Sequence, residues 1–469
     1  MKTISTQIKP QMKRNKLKNF KRVLFALIGF ILAIIIYGLL QLIEPIAIAP
    51  IAESTQTVSF SGDKLLIASD ADMVATAYAD AKLDRVAGVE DALTVIDLPL
   101  DSNNPQIASV RVSNSVMSWP QIIATSPDGK RAYVVEVRSR PEDGIQELDT
   151  IDDMPEGKYL TAIDLTNSQY PKIIESVAVG RNPEHISISP DGKLLAINLQ
   201  DSGKELLIVK LQADGTLGER FYFPITSNGT RQDNQTAIWH PSGKYLAMAQ
   251  DKNTKVGFYS VTTSNGDIQI KPYSKPIDVG NYLTHTRFTS DGRFLLACDL
   301  KWGTKPLQQL NYLMNPPGEA IAIKFEPKSG QSPVITSRVE VGLSPEGFAI
   351  SPDDLLVATV NMRRTYLPSY IPAWRGKPYS SLSLLKFDSR SGQLSNVNEY
   401  GFEGLLPEQV TFDADGKSLA VVIYNYREPS PKTGAVEFWN VKSGNKPQLE
   451  RTGYKIDIVR GAHDIVLVP

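Results

Sequence analysis

Residues 182–200 read NPEHISISPDGKLLAINLQ. The stretch opens on a polar turn, alternates Ile and Ser along a short strand, turns at Ser-Pro-Asp-Gly and leaves along a second, apolar strand. Proline presets the first dihedral of a tight turn, aspartate bonds backbone amides and glycine accepts a positive φ. The signature recurs as VSFSGDKLLIASDA from Val58, IIATSPDGKRAYVVEV from Ile122, ISISPDGKLLAINLQ from Ile186, AIWHPSGKYLAMAQD from Ala237, TRFTSDGRFLLACDL from Thr286, FAISPDDLLVATVNM from Phe348 and VTFDADGKSLAVVIY from Val410. Seven copies at intervals of 49 to 64 residues fall in the range of solenoids and propellers.

Each copy is followed by a third strand (ALTVIDL, YLTAIDL, ELLIVKL, KVGFYSV, EAIAIKF, SLSLLKF, AVEFWNV) and a weaker fourth, such as KIIESVAVG or VITSRVEVG. Apolar residues alternate at period two or run in short blocks, which argues against helices. Four strands in each of seven repeats predict an all-β fold, a seven-bladed β-propeller over residues 55–469. The chain ends RGAHDIVLVP, a blade entry with no second strand after it. That strand is expected to complete the blade begun by KLLIASDAD and so remove an open edge. TQTVSF at residues 55–60 competes for the same innermost position, and both assignments stay open here.

The net charge of −1 hides an asymmetry. Residues 1–43 hold eight basic side chains and no acidic ones, which leaves 42 basic against 51 acidic residues in the rest. An acidic body is a poor partner for nucleic acid, whose binding rests on neutralising phosphates. The single cysteine, Cys298, rules out an internal disulfide and a Cys-based zinc site; in FLLACDL it reads as a buried small hydrophobe. Residues 1–22 form a basic tail. Residues 23–43 are apolar but for Gln41 and are long enough to span a bilayer. The rival is a cleaved signal peptide with AIAP at 47–50 as its processing site. Its apolar region would run to about 7–15 residues, so the longer segment reads as a signal-anchor. The basic flank places the tail in the cytoplasm and residues 44–469 on the periplasmic or extracellular side, with 44–54 as a Pro-containing linker.

The turn-plus-strand units, above all SPDGKRAYVVEV and VAVGRNPEHISISPDGKLLAIN, resemble the YVTN-type and lactonase-like seven-bladed β-propeller superfamily over roughly residues 55–469. THTRFTSDGRFLLACDL resembles the His-containing entry and Asp-Leu strand end of the family's enzyme branch, matching His285 and Asp299. That branch implies an Arg-His pair entering the next blade. Here the chain reads SPEGFAISPDD, with Glu346 in place of the pair.

Call the strands of a blade a to d, from the axis outward. The SPDG turn joins a to b at one end, so the b–c loops and d–a crossings share the other. The long insertions SDADMVATAYADAKLDRVAGVED, RSRPEDGIQELDTIDDMPEGK, KWGTKPLQQLNYLMNPPG and RRTYLPSYIPAWRGKPYS are all b–c loops, and scaffold folds place function in such loops. Two columns of the repeat point to that face. One holds His185, His285, Asp464, Gln409, Thr236, Gly347 and Ile122; the preceding position holds Glu184, Glu346, Glu408, Gln121, Gln235, Thr284 and His463. Alternation along a strand predicts that one column faces the channel. A third set, Asp70, Glu136, Gln250, Asp299 and Asn361, lies beyond the turn.

These residues predict a funnel of carboxylates and imidazoles able to bind a small polar ligand or a weakly held divalent cation, or a watered channel in which the same groups bond neighbouring backbones. Arg363, Arg364, Tyr366, Tyr370, Trp374 and Arg375 suit recognition of a carboxylate, a sugar or a protein partner, or a compact loop held by its own aromatics. Asn228 and Asn234 lie in Asn-x-Thr sequons. Two functions stand: a membrane-anchored module binding a protein or small polar ligand on the b–c loop face, and a lactonase-like hydrolase using His285, Asp299 and Glu346 in the funnel.

Overall fold

The computed structural model describes residues 8–42, 46–52, 58–225, 236–264, 266–303, 316–370 and 379–469. Seven four-stranded antiparallel sheets follow one another around a ring. Within each, turn chemistry sets the first hairpin: Gly129, Gly192, Gly243, Gly292 and Gly416 all take a positive φ near 70°. Blade 3 has Pro183–Ile188, Leu194–Leu199, Leu206–Leu211 and Leu217–Phe223 from the axis outward, the opening sequence forming its inner hairpin. The middle strands are almost wholly buried, whereas the fourth strands alternate exposed and half-buried residues, the pattern of a sheet edge with one face in solvent.

The ring is closed by the C-terminal strand. Ala462–Val468 pairs antiparallel with Lys64–Ser69, which pairs with Ala92–Asp97 and then Ile107–Arg111. The innermost place in blade 1 therefore goes to the chain's end. Val58–Phe60 runs elsewhere, with Ser418 donating to the Ser59 carbonyl and Ser61 to Asp413 in blade 7. Closure needs glycine at 461: a Cβ there would lie 1.7 Å from the Asp70 carbonyl oxygen.

A helix covers Ile8–Leu42. Its Phe20–Tyr37 window has a mean hydropathy of 2.2 with none of it buried, enough by length and composition to cross a membrane. The segment after it is not a free tether. Ile48 and Ile51 form parallel bridges to Gly401 and Arg451, on the outer strands of blades 6 and 7, and Ala49 is buried there.

Besides the cores between blades, a further apolar cluster joins the b–c loops and d–a crossings on one face. Met73, Leu83, Trp119, Met154, Leu300, Met362, Tyr366 and Tyr424 all belong to it. The loops thus fold onto one another above the channel and are themselves core-bearing.

Candidate active site

The loop cluster leaves a cavity of about 1180 Å³ at the channel mouth. One wall is a run of aromatic rings. Trp119 meets Tyr282 edge-on at 5.5 Å, Tyr282 lies 6.2 Å from Trp302, and Trp302 lies 5.7 Å from Tyr366. Tyr78, from the short helix Ala77–Asp80, lines another side and donates its hydroxyl hydrogen to the Val116 carbonyl at 2.9 Å. Glu184 and Glu346 line the cavity, and Arg138, Asp152, Asp153, Glu156 and Arg181 line it too. Arg181 is held by Glu156 at 2.5 Å.

Among the described residues, the two columns that alternation would have sent to opposite sides are both buried here. In blades 1, 3, 5 and 6 the pairing of the inner strand slips where they fall, between Ala68 and Ser69, Pro183 and His185, Leu283 and Thr286, and Pro345 and Phe348. An extra residue at a bulge breaks the two-residue period and re-aims side chains. Glu184 and Glu346 thus reach the mouth cavity. His185 instead accepts from the Ala237 N–H of the next blade at 3.2 Å, and His285 donates from Nδ1 to the Pro120 carbonyl, three blades away, at 3.1 Å. Asp464 accepts from the Ile122 and Ile123 N–H groups at 2.8 and 3.1 Å.

Glu346 and Glu408 lie close because the backbones around them nearly touch. A Cβ on Gly347 would sit 2.3 Å from the Glu408 carbonyl oxygen. Among the described residues, Glu346 Oε2 and both carboxylate oxygens of Glu408 have no hydrogen-bond partner. Burial pushes the Glu346 carboxyl up to about 8. Burial, and next the Glu346 charge, push Glu408 well above the usual carboxylate range. His463 donates from Nε2 to Asn114 at 2.8 Å and turns Nδ1 toward Glu408 at 3.9 Å; burial drives its pKa down to about 3, so the imidazole is neutral. Buried carboxyls that keep a proton at neutral pH are suited to donating it.

The third column does different work. Asp299 accepts from the N–H groups of Asn281, Tyr282 and Lys301 at 2.8–3.0 Å. Asp70 accepts from Asp72 and Val116, and Glu136 from Lys158 and Tyr159. These carboxylates staple loops to their own blades, and Asp299 does not line the cavity. Asp70, Asp72 and Asp91 bring ligand-type oxygens within 4.8 Å of one another. Asp70 and Asp91 spend theirs on four backbone N–H groups, and Asp72 faces Arg85 and Arg140 at 3.6 Å. No such group of three forms at the channel mouth among the described residues.

In the blade 6 loop, Arg363 and Arg364 are buried, Arg363 facing Glu399 at 3.3 Å, while Tyr366 and Leu367 pack into the loop cluster and Tyr370 is exposed. Trp374 and Arg375 lie outside the described residues, as do Gln235, Asn228 and Asn234. Sequence reasoning named Tyr366 but missed the other three rings of the aromatic wall. Its signal was present as an aromatic next to a blade entry or exit in MSWPQ, GNYLTH and DLKWG.

A family model described as "Lactonase, 7-bladed beta-propeller" matches residues 75–425. The chain belongs to the seven-bladed lactonase propeller family. Among solved structures, this lactonase-family propeller is similar to the periplasmic gluconolactonase of Pseudomonas aeruginosa, at 16% identity and a TM-score of 0.59, covering 87% of this chain and 99% of that one. It is also similar to a Bacteroides fragilis protein assigned as a candidate 6-phosphogluconolactonase (15% identity, TM-score 0.57, 89% and 100% covered) and to a Lactobacillus plantarum protein (14%, 0.57, 87% and 100%). These likenesses show the fold. No curated protein matches the chain.

Proposed function

We propose that this propeller binds an uncharged sugar-type lactone in the mouth cavity and hydrolyses it. The observation that carries the reading is the buried, proton-holding Glu346 in a cavity walled by four linked aromatic rings. Flat aromatic faces suit the C–H faces of a sugar ring, and a few convergent polar groups fix its orientation. Glu346 donates a hydrogen bond to the lactone carbonyl oxygen as negative charge develops there. Glu184, bonded by Gln200, is the carboxylate on the same cavity that takes a proton from the attacking water. Water adds to the carbonyl carbon, the ring C–O bond breaks, the ring oxygen is protonated and a hydroxy acid leaves. Besides the protonated Glu346 the lining holds four acidic side chains against two arginines, which disfavours a phosphorylated lactone.

A second reading, binding without turnover, is favoured by Asp299. The Asp299 carboxylate and His285 Nδ1, on two of the three residues first considered for catalysis, are bonded to backbone. The apolar helix and basic tail support tethering with the propeller on the extracytoplasmic side, and the similar gluconolactonase is periplasmic by its description. A panel of lactones assayed with the wild-type chain and the E346Q and E184Q variants tests the reading. Hydrolysis lost in both variants supports it; saturable sugar binding with no turnover selects the second reading. Protease accessibility in intact cells tests the orientation.

A further inference from the structure

Beneath the mouth cavity the inner strands continue toward the SPDG turns. Arg287 lies two residues beyond His285 on the inner strand of blade 5, past the slip, where pairing is regular from Thr286 on. Phe288 packs into the core shared with blade 4, so Arg287 takes the other side of the strand, the side on which His285 meets Phe348 of blade 6. The equivalent positions on the other blades are Ala124, Ser187, Ile238, Ala349, Thr411 and Val466, and Arg287 is the one charged residue of the set. Its charge is felt by His185 of blade 3, His285 of blade 5 and Asp464 of blade 1. Blades 1, 3 and 5 converge only at the axis, so the guanidinium extends into the channel.

The hydrogen-bond roles of the two histidines follow from their partners. His185 Nδ1 accepts from a backbone N–H, so in the neutral ring the proton is on Nε2. That Nε2–H donor is fully buried and, among the described residues, has no acceptor. His285 Nδ1 faces a carbonyl, so its proton is on Nδ1 and its unpartnered Nε2 carries a lone pair. Arg287 as a residue is half-buried, and it makes no ion pair within 4 Å among the described residues. Asp464, the nearest opposing charge, has Oδ2 occupied by two backbone N–H groups. An arginine fork and an imidazole N–H without acceptors, at a level of the channel where the other inner-strand positions are uncharged, match the oxygens of a small anion.

We propose that Arg287 and the Nε2–H of His185 form a binding site inside the channel for a small oxyanion of the carboxylate or phosphate class. The site is separate from the cavity that holds Glu346 and does not depend on hydrolysis there.

Isothermal titration of the purified chain at pH 7 and constant ionic strength tests this, with acetate and inorganic phosphate as separate probes and chloride as the background ion. Saturable binding of one or both oxyanions is expected, weakened at least tenfold in R287Q and unchanged in E346Q. The probe that binds assigns the class. R287K, which keeps the charge but loses the fork, is expected to bind several-fold more weakly and serves if R287Q does not fold. No saturable binding of either probe to the wild-type chain, or equal binding by the Arg287 variants, overturns the site.

Discussion

Replacing Glu346 with glutamine is expected to stabilise the fold at alkaline pH while removing function. The carboxyl is buried and its pKa stands at about 8 against an ordinary value of 4.5. The unfolded chain releases this proton first. Stability is therefore full below about pH 4.5 and is lost as pH rises through 8. At about 1.4 kcal/mol per pH unit, the loss reaches roughly 5 kcal/mol at pH 8 and roughly 3 at pH 7. Glutamine keeps the shape and carries no charge. It also relieves Glu408, whose pKa the Glu346 charge helps to raise. Urea unfolding of parent and variant from pH 4 to 8 measures the effect. The difference is expected to be small at pH 4 and to grow to about 3–5 kcal/mol in the variant's favour by pH 8. Apart from the neighbouring Glu408, the titrating groups are common to both chains, so the slope of the difference reports the Glu346–Glu408 pair. A difference that does not change with pH, or a variant less stable at pH 8, refutes the reasoning. The gain fits a general pattern in which active sites are held at the expense of stability.

Gly347→Ala is expected to cost more than about 2 kcal/mol, because its Cβ would press on the Glu408 carbonyl; thermal unfolding reads this. Asp299→Asn, which weakens a staple accepting three backbone N–H groups, among them that of Tyr282 in the aromatic wall, is expected to cost about 2 kcal/mol, read by the same thermal unfolding. Removing residues 462–469 strips the inner strand from blade 1 and exposes the Lys64–Ser69 edge, so loss of the cooperative unfolding transition and aggregation are expected in light scattering. Trp302→Ala breaks the aromatic wall between Tyr282 and Tyr366 and is expected to weaken sugar binding about tenfold with little change in melting temperature.

The architecture was legible because it repeats. A turn such as Ser189–Gly192 and the alternation after it recur seven times, and each copy repeats the same local physics. Closure was half legible: RGAHDIVLVP marked a strand without a partner, but only pairing to Leu65–Ser69 decided between it and TQTVSF. The site was harder. Glu184 and Glu346 were found from their column, yet the alternation rule failed there, because inner-strand bulges in four blades are invisible in sequence. Asp299 looked like a site residue and is a staple; an aspartate that accepts three amide hydrogens and one that faces a ligand look the same in sequence. Trp119, Tyr282 and Trp302 come from different blades, and only the folded loops bring them together.

The most direct test is a pH-stat measurement of lactone opening by the full chain at pH 7, comparing an uncharged sugar δ-lactone with its phosphorylated counterpart, for wild type and E346Q. The site described here predicts saturable turnover that favours the uncharged lactone and falls at least a hundredfold in E346Q. Turnover undiminished in E346Q, or a preference for the phosphorylated lactone, contradicts it.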